Sequence, residues 1–258
     1  MKVKKGGVIL QSDPYAFILY PEYKNILCNL CLKEIQACKE QICACRRCVY
    51  CCKNCMLQDE MHASECELLI TSGSKPSTAT SWLLLRVWLK YSRELEENSE
   101  SSGELVPGFR LKRTFGDFLS HEKDIRRDKK KMQHILDHYR DLESILLEEM
   151  PSFDEFVELY GKVVINNFEL RQSSSGESYG MGVYLAPSIV DHSCVPNAWV
   201  EISGKRLTMK SLVEVDNFSM DQVFFSYINT EARFEVRQEY LKKYFFFTCK
   251  CLKCLTEI

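Results

Sequence analysis

A chain of 258 residues, 45% of them hydrophobic, has enough apolar side chains to bury a sizeable core. Its formal net charge of −2 leaves no global basic footprint, which argues against tight nucleic-acid binding driven by charge alone. No apolar run reaches the roughly 18 residues of a membrane span. The apolar start breaks at Gln11-Ser12-Asp13-Pro14 before a signal-peptide core could form, so nucleus and cytoplasm are the expected locations and no membrane partner is expected.

In chain order, Val8-Ile9-Leu10 and Tyr15-Ala16-Phe17-Ile18-Leu19 read as an extended pair across a Ser-Asp-Pro break. Residues 28–66 form a cysteine block, and 71–77 have the Ser, Gly and Pro content of a linker. Trp82, Leu85, Trp88 and Leu89 recur at helical spacing up to about Glu97, and a polar loop follows over 98–103. Lys123 to Glu149 reads as one long amphipathic helix with Met132, Ile135, Leu136, Tyr139, Leu142, Ile145 and Leu146 on its apolar face. A second helix follows the Pro151-Ser152 punctuation. The period then changes. Residues 200–202, 207–209 and 222–225 read as short strands joined by hairpins, and Arg233 to Lys243 as a closing helix. The pattern is a helical insertion between β segments, with a metal module near the front.

Ten of the fourteen cysteines lie between Cys28 and Cys66. In a reducing compartment the thiols stay free, so their CxxC-type spacings and the interposed HxxxC favour metal over disulfides. Cys28-x2-Cys31, Cys51-x3-Cys55 and His62-x3-Cys66 supply three ligand pairs. Cys45 with either Cys43 or Cys48 supplies the fourth, enough for two closed zinc sites. Cys38 and Cys52 are read as spare thiols. Near the C-terminus Cys249, Cys251 and Cys254 form a CxCxxC, and Cys194, 55 residues upstream of Cys249, completes a third tetrahedral set. A saturated zinc leaves no position open for water or substrate, so all three sites are structural. Asn217-Phe218-Ser219 matches a glycosylation pattern that means nothing in this compartment. Arg126 to Lys131 is read as the solvated face of a helix, leaving DNA binding possible but weakly supported.

Tyr50-Cys51-x3-Cys55-x6-His62-x3-Cys66 resembles the MYND finger, a cross-braced two-zinc module. The resemblance implies that Cys28, Cys31, Cys51 and Cys55 share one ion. The second ion would take His62, Cys66 and the irregular second pair, Cys45 and Cys48 with Cys43 as the alternative. A finger of this kind implies protein partners. Asp191-His192-Ser193-Cys194-x-Pro196-Asn197, Phe225-Ser226-Tyr227 and the run from Leu241 to Cys254 resemble the SMYD branch of the SET family, protein-lysine methyltransferases whose SET domain is interrupted by a MYND finger.

That resemblance covers nearly the whole chain and implies an α+β fold: a SET-type β core with an inserted MYND double-zinc finger, a helical insertion and a zinc-bound post-SET segment. The implied division is 1–27 for the N-terminal part of the SET domain, 28–66 for the finger, 67–165 for the helical insertion, 166–241 for the core SET domain and 242–258 for the post-SET segment. It implies S-adenosylmethionine and three zinc ions as cofactors, and a histone or other lysine-bearing protein as substrate. Tyr227 would be the catalytic hydroxyl, with Asn166, Asp191, His192, Phe245 and Phe247 at the cofactor. The alternative is a catalytically weak MYND–SET scaffold that binds partners in transcriptional regulation.

Three departures bear on the chemistry. Asp191 replaces the family's asparagine, keeping an acceptor but losing a donor. Phe245 stands where a second channel tyrosine is expected. The glycine-rich GxG strand expected ahead of residue 1 is missing from the sequence, which would leave the cofactor site open on one side, and the helical-repeat domain that many members carry after the terminal cysteines is missing too.

Overall fold

The computed structural model describes residues 2–36, 40–97, 103–108, 112–172, 176–216 and 219–257. The spare thiol Cys38 and the formal acceptor Asn217 lie outside them. The chain divides into two compact units, Met1–Asp13 with Gly103–Phe118 and Tyr184–Ile258, and Pro14–Ser102 with Leu119–Val183. Both are discontinuous in sequence, so they cut across the linear division of the chain. Among the described residues no helix is long and apolar enough to cross a membrane.

The first unit holds an antiparallel sheet in the order Val8–Ser12, Arg206–Ser211, Ala198–Ser203. The last two strands form a hairpin that turns at Gly204, whose φ of +57° suits a residue without a Cβ. Asp191–His192 runs parallel to Phe224–Phe225 in a second, two-stranded ladder. The strand expected over 222–225 is shorter than its sequence suggests, because Met220–Gln222 is a 3₁₀ turn. A helix over Phe234–Phe245 closes the unit and stops at Phe246, whose φ of +62° breaks the helical path without a glycine.

In the second unit Ala16–Leu19, Ser178–Val183 and Asn167–Arg171 form an antiparallel sheet in that order. All four residues of Ala16–Leu19 are buried, which is why this segment reads as a continuous apolar run rather than an alternating one. The two strands expected to pair across Ser12-Asp13-Pro14 therefore do not pair: Val8–Ser12 joins Arg206–Ser211, and Ala16–Leu19 joins Ser178–Val183. Pro14, directly after the break, has no amide N–H to donate to a tight hairpin. Gly180 is required by that pairing, since a Cβ there would sit 2.1 Å from the Ile18 carbonyl oxygen.

Against this sheet packs the helix Ala79–Glu96, capped by Thr78 and burying Trp82 to Val87 together with Leu89. The single helix expected over 123–149 is two, Glu122–Ile125 and Lys129–Leu146. Asp128 restarts it, its carboxylate accepting from the amides of Lys130 and Lys131 at 3.0 and 3.2 Å. Of the expected apolar face Ile135, Leu142, Ile145 and Leu146 are buried, whereas Met132, Leu136 and Tyr139 are only partly buried. Phe153–Asn166 follows, opened by a Ser152–Glu155 capping box. Arg126 of the basic run pairs at 2.6 Å with both Glu122 and Asp154 at the surface.

Candidate metal centres and aromatic pocket

In the cysteine block the sulfurs of Cys28, Cys31, Cys51 and Cys55 all lie within 4.8 Å of one another. Two of the separations, Cys31 to Cys51 and Cys51 to Cys55, are 3.6 Å. Four thiolates about 2.3 Å from one tetrahedral zinc stand roughly 3.8 Å apart, so the donor set fits that ion. A second group joins Cys43, Cys45, His62 and Cys66 within the same limit. Here Cys43 is 3.3 Å from Cys45, and Cys45 Sγ is 3.4 Å from His62 Nε2.

Cys48, one of the two expected partners of Cys45, is placed differently: its sulfur is buried 3.3 Å from His62 Nδ1, whereas Cys45 faces Nε2. The reason is the turn between them. Arg46 takes φ +58°, the Cys43 amide donates to the Cys48 carbonyl at 3.1 Å, and the Cys48 amide donates to Cys43 Sγ at 3.2 Å. This turns the Cys48 sulfur toward His62 Nδ1 while its N–H supports Cys43 as a thiolate. The cross-brace is organised by Asp59, which caps the helix Glu60–Thr71 through the His62 amide and accepts from Asn29 Nδ2 and the Tyr50 hydroxyl, each at 3.0 Å. Cys52 is exposed and belongs to neither group.

The terminal cluster lies in the other unit. Cys194, Cys249, Cys251 and Cys254 come within 4.8 Å of one another, with Cys194 at 4.0 Å from Cys249 and 3.6 Å from Cys254. Burial pushes the Cys194 thiol up to about 12, so a bound cation is what would keep it ionised. Gln238 brackets Cys249, its side chain giving and accepting 3.0 Å hydrogen bonds to the Cys249 carbonyl and amide.

An aromatic cluster borders this site. The Tyr227 ring is centred 4.9 Å from both Phe225 and Phe245, 5.3 Å from His192 and 6.5 Å from Phe247. The Tyr227 hydroxyl donates to the Val190 carbonyl at 2.7 Å. His192 links the tyrosine to the cysteines: Nδ1 accepts the Tyr227 amide at 3.1 Å, which leaves the proton on Nε2, 3.3 Å from Cys194 Sγ. Burial, with the Arg237 charge, holds His192 down to about 4, so the imidazole is neutral. Phe246 ends the closing helix and swings Phe247 onto His192, with 5.9 Å between ring centres.

No protein-family model matches the chain. Curated proteins do, along nearly its whole length. Histone-lysine N-methyltransferase SMYD3 of Mus musculus is 25% identical over 257 residues, covering 99% of this chain and 58% of its own length. Histone-lysine N-methyltransferase ASHR1 of Arabidopsis thaliana is 27% identical over 262 residues, covering 97% and 51%. N-lysine methyltransferase SMYD2 of Sus scrofa is 26% identical over 256 residues, covering 98% and 56%. The chain belongs to the SMYD family. It spans just over half the length of these relatives.

Within that family's α+β fold, SET core and zinc-compatible clusters, the structure brings Tyr227, His192, Phe245 and Phe247 together in one unit. Asp191 precedes His192 on the same short strand with its side chain exposed, and its charge adds to burial in pushing the Tyr227 phenol up. Asn166 lies in the other unit, ending the helix Phe153–Asn166 with its amide donating to the Lys162 carbonyl at 2.8 Å. Sequence reasoning passed over three arginines. Arg113 donates to Ser188 Oγ at 2.8 Å and lowers the Tyr227 phenol against Asp191. Arg237 and Arg86 each point a guanidinium at a buried thiol, 3.8 Å from Cys254 and Cys48. Nothing in a one-dimensional pattern marks an arginine as buried. Glu65 was findable, since it follows His62 by three residues on one helix and so faces it.

Proposed function

We propose that this chain is an S-adenosylmethionine-dependent protein-lysine N-methyltransferase acting on a histone or another lysine-bearing protein, in nucleus and cytoplasm. The observation that carries the reading is the Tyr227 hydroxyl, fixed on the Val190 carbonyl at 2.7 Å inside a cage of Phe225, Phe245, Phe247 and His192. With its proton given to Val190, the phenolic oxygen keeps lone pairs free to accept from the N–H of a substrate amine and so to aim the nitrogen. Burial holds the phenol above its ordinary range, so Tyr227 is neutral and orients the amine rather than deprotonating it. The aromatic walls exclude water, as a displacement at a buried methyl group demands. Such a cage of π faces fits the sulfonium of S-adenosylmethionine. Bound there, that cofactor would supply an electrophilic methyl group.

Asp191 and His192 would hold it chiefly through backbone groups, with Phe245 and Phe247 packed on it. Asn166 keeps its cofactor role on the resemblance alone. Three zinc ions are proposed: one each on Cys28, Cys31, Cys51 and Cys55; on Cys43, Cys45, His62 and Cys66; and on Cys194, Cys249, Cys251 and Cys254. The finger would contact protein partners. The test is transfer of labelled methyl from S-adenosylmethionine to histones and to cell lysate, comparing the parent with Tyr227→Phe. Transfer by the parent and loss in the variant is the expected result; a parent that binds the cofactor without transferring methyl to any protein would favour the scaffold alternative.

A further inference from the structure

His62 is shared between two groups of potential ligands. Its Nε2 faces Cys45 in the second finger cluster, while its Nδ1 faces Glu65 Oε1 at 2.7 Å and Cys48 Sγ at 3.3 Å. Cys48, His62 and Glu65 are all buried and close enough to hold a cation themselves. That position already has a positive charge beside it. The Arg86 guanidinium, itself 2% exposed, donates to Glu65 Oε1 at 2.7 Å through Nη2 and reaches both carboxylate oxygens at 3.1 Å through Nε. Its Nη2 also points at Cys48 Sγ at 3.8 Å. A second metal next to this arginine would face repulsion in a low-dielectric interior, so the triad is better read as the outer shell of the cluster on the other side of the ring.

Trp82 Nε1 adds a third donor to Glu65, at 3.2 Å from each oxygen. The network continues: Arg86 Nη1 donates at 2.6 Å to the carbonyl of Phe17, in the strand Ala16–Leu19 at the edge of its sheet. A ring bound to metal through Nε2 carries its proton on Nδ1, the atom against Glu65. One unbroken line of short hydrogen bonds thus runs from a finger ligand, through Glu65 and Arg86, to a β-strand outside the finger but inside the same unit.

We infer that Glu65 and Arg86 are positioning residues that fix the orientation of His62 for its metal and couple occupancy of the second finger site to the strand Ala16–Leu19. The inference rests on the proposed zinc ligands. It gives the finger a mechanical role inside its own unit, alongside any partner binding.

The test uses the full chain loaded with cadmium-113, whose resonance separates a site of three thiolates and one imidazole from sites of four thiolates, together with amide hydrogen exchange. Titration with a competing chelator should show Glu65→Gln weakening the mixed site about 10- to 100-fold, the usual effect of an outer-shell change, with the four-thiolate sites unmoved. Stripping the mixed site should speed exchange at the strand 16–19 in the parent. The double variant Glu65→Gln with Arg86→Met, which removes both buried charges together, guards against a variant that fails to fold by leaving one charge unpaired. In it the strand should no longer respond to stripping. Mixed-site affinity within threefold of the parent in Glu65→Gln, or an undiminished response of the strand in the double variant, overturns the relay. A parent with no mixed-site resonance overturns the ligand assignment, and the relay with it.

Discussion

The two cysteine-rich regions use the same parts to different ends. Each sets a buried arginine 3.8 Å from a thiol and pairs it with a glutamate, Arg86 with Glu65 and Arg237 with Glu257. In the finger the proposed ligands are local, and the buried cluster is Cys28, Cys43, Cys48 and Tyr50, so metal there would stand in for most of a core. In the terminal region Cys194, Cys249 and Cys254 pack with Leu241 against Tyr227, Phe245 and Phe247, so a metal there would staple a core that already exists. The pairs differ as well. Glu65 is fully buried with several donors, whereas the Glu257 side chain is 35% exposed and Arg237 Nε has no partner among the described residues. On the proposed zinc assignment, metal would be a folding determinant in one region and a clamp on the aromatic pocket in the other.

The largest effects should come from removing a ligand on each side. Apparent binding energies of structural zinc reach about 10–16 kcal/mol, and that energy is also folding energy. Cys55→Ala should cost one ion and unfold the finger, leaving the near-ultraviolet circular dichroism of Tyr227 and its phenylalanine neighbours in place. Cys251→Ala should cost one ion and abolish that aromatic signal while most secondary structure of its unit survives. If the two variants instead lose the same signals, the contrast between metal as core and metal as clamp is wrong.

Cys43→Ala and Cys48→Ala sharpen the finger side. The first should drop the zinc count by one, because Cys43 stands 3.3 Å from Cys45 within the cluster. The second should keep every ion and lose only packing and its contacts to His62 and Arg86. Elemental analysis of the purified variants decides between them, and the reverse pattern would return Cys48 to the ligand set.

On the clamp side, Tyr227→Phe should slow methyl transfer about 100-fold, in the range expected when a positioned proton partner is lost. The buried hydrogen bond to Val190 is worth only about 1 kcal/mol, so thermal stability should barely move. A single-turnover rate equal to the parent's would remove Tyr227 from the chemistry.

Why some of this was readable in the sequence follows from the same contrast. Zinc ligands recur at spacings set by short turns, so Cys28, Cys31, Cys51, Cys55, His62 and Cys66 stand out as candidates, whereas spacing alone leaves Cys43 and Cys48 open as the partner of Cys45. Helical periodicity located the apolar face of Lys129–Leu146 but not its start, which depends on the single cap Asp128. Pairing of the strands around Asp13-Pro14 was not legible, because a continuous apolar run says that a strand is buried without saying beside what. The links between sites were hidden for a related reason. His192 bridging Tyr227 to Cys194, and Arg86 bridging Glu65 to Phe17, are side-chain contacts between distant segments that no local pattern records.

The arginine pairs offer a smaller effect with a clear asymmetry. Arg237→Met should destabilise the terminal region by about 1–3 kcal/mol through lost charged hydrogen bonds to Cys254 and Glu257. Glu257→Gln, at a partly exposed carboxylate, should cost about 0–1 kcal/mol. Denaturant melts of the zinc-loaded variants measure both. Equal losses would mean that Glu257 is as integral to its site as Glu65 is to the finger.

An effect of similarly small size is expected at Asp191, and it tests whether the clamp also tunes cofactor binding. Its carboxylate can accept but not donate, and its charge lies within electrostatic reach of Tyr227 and of Arg113, which is anchored on Ser188. Asp191→Asn restores a donor and removes the charge. With Arg113 left to offset nothing, the gain should be partial, so S-adenosylmethionine should bind more tightly by about 1 kcal/mol, the worth of one hydrogen bond. Isothermal titration reads this directly. Adding Arg113→Met to the same variant should change affinity less than Arg113→Met does in the parent, because the arginine's opposing charge is gone. Were the two effects of Arg113→Met equal, Asp191 and Arg113 would act independently, and Asp191 would be an isolated departure rather than one half of a compensated pair.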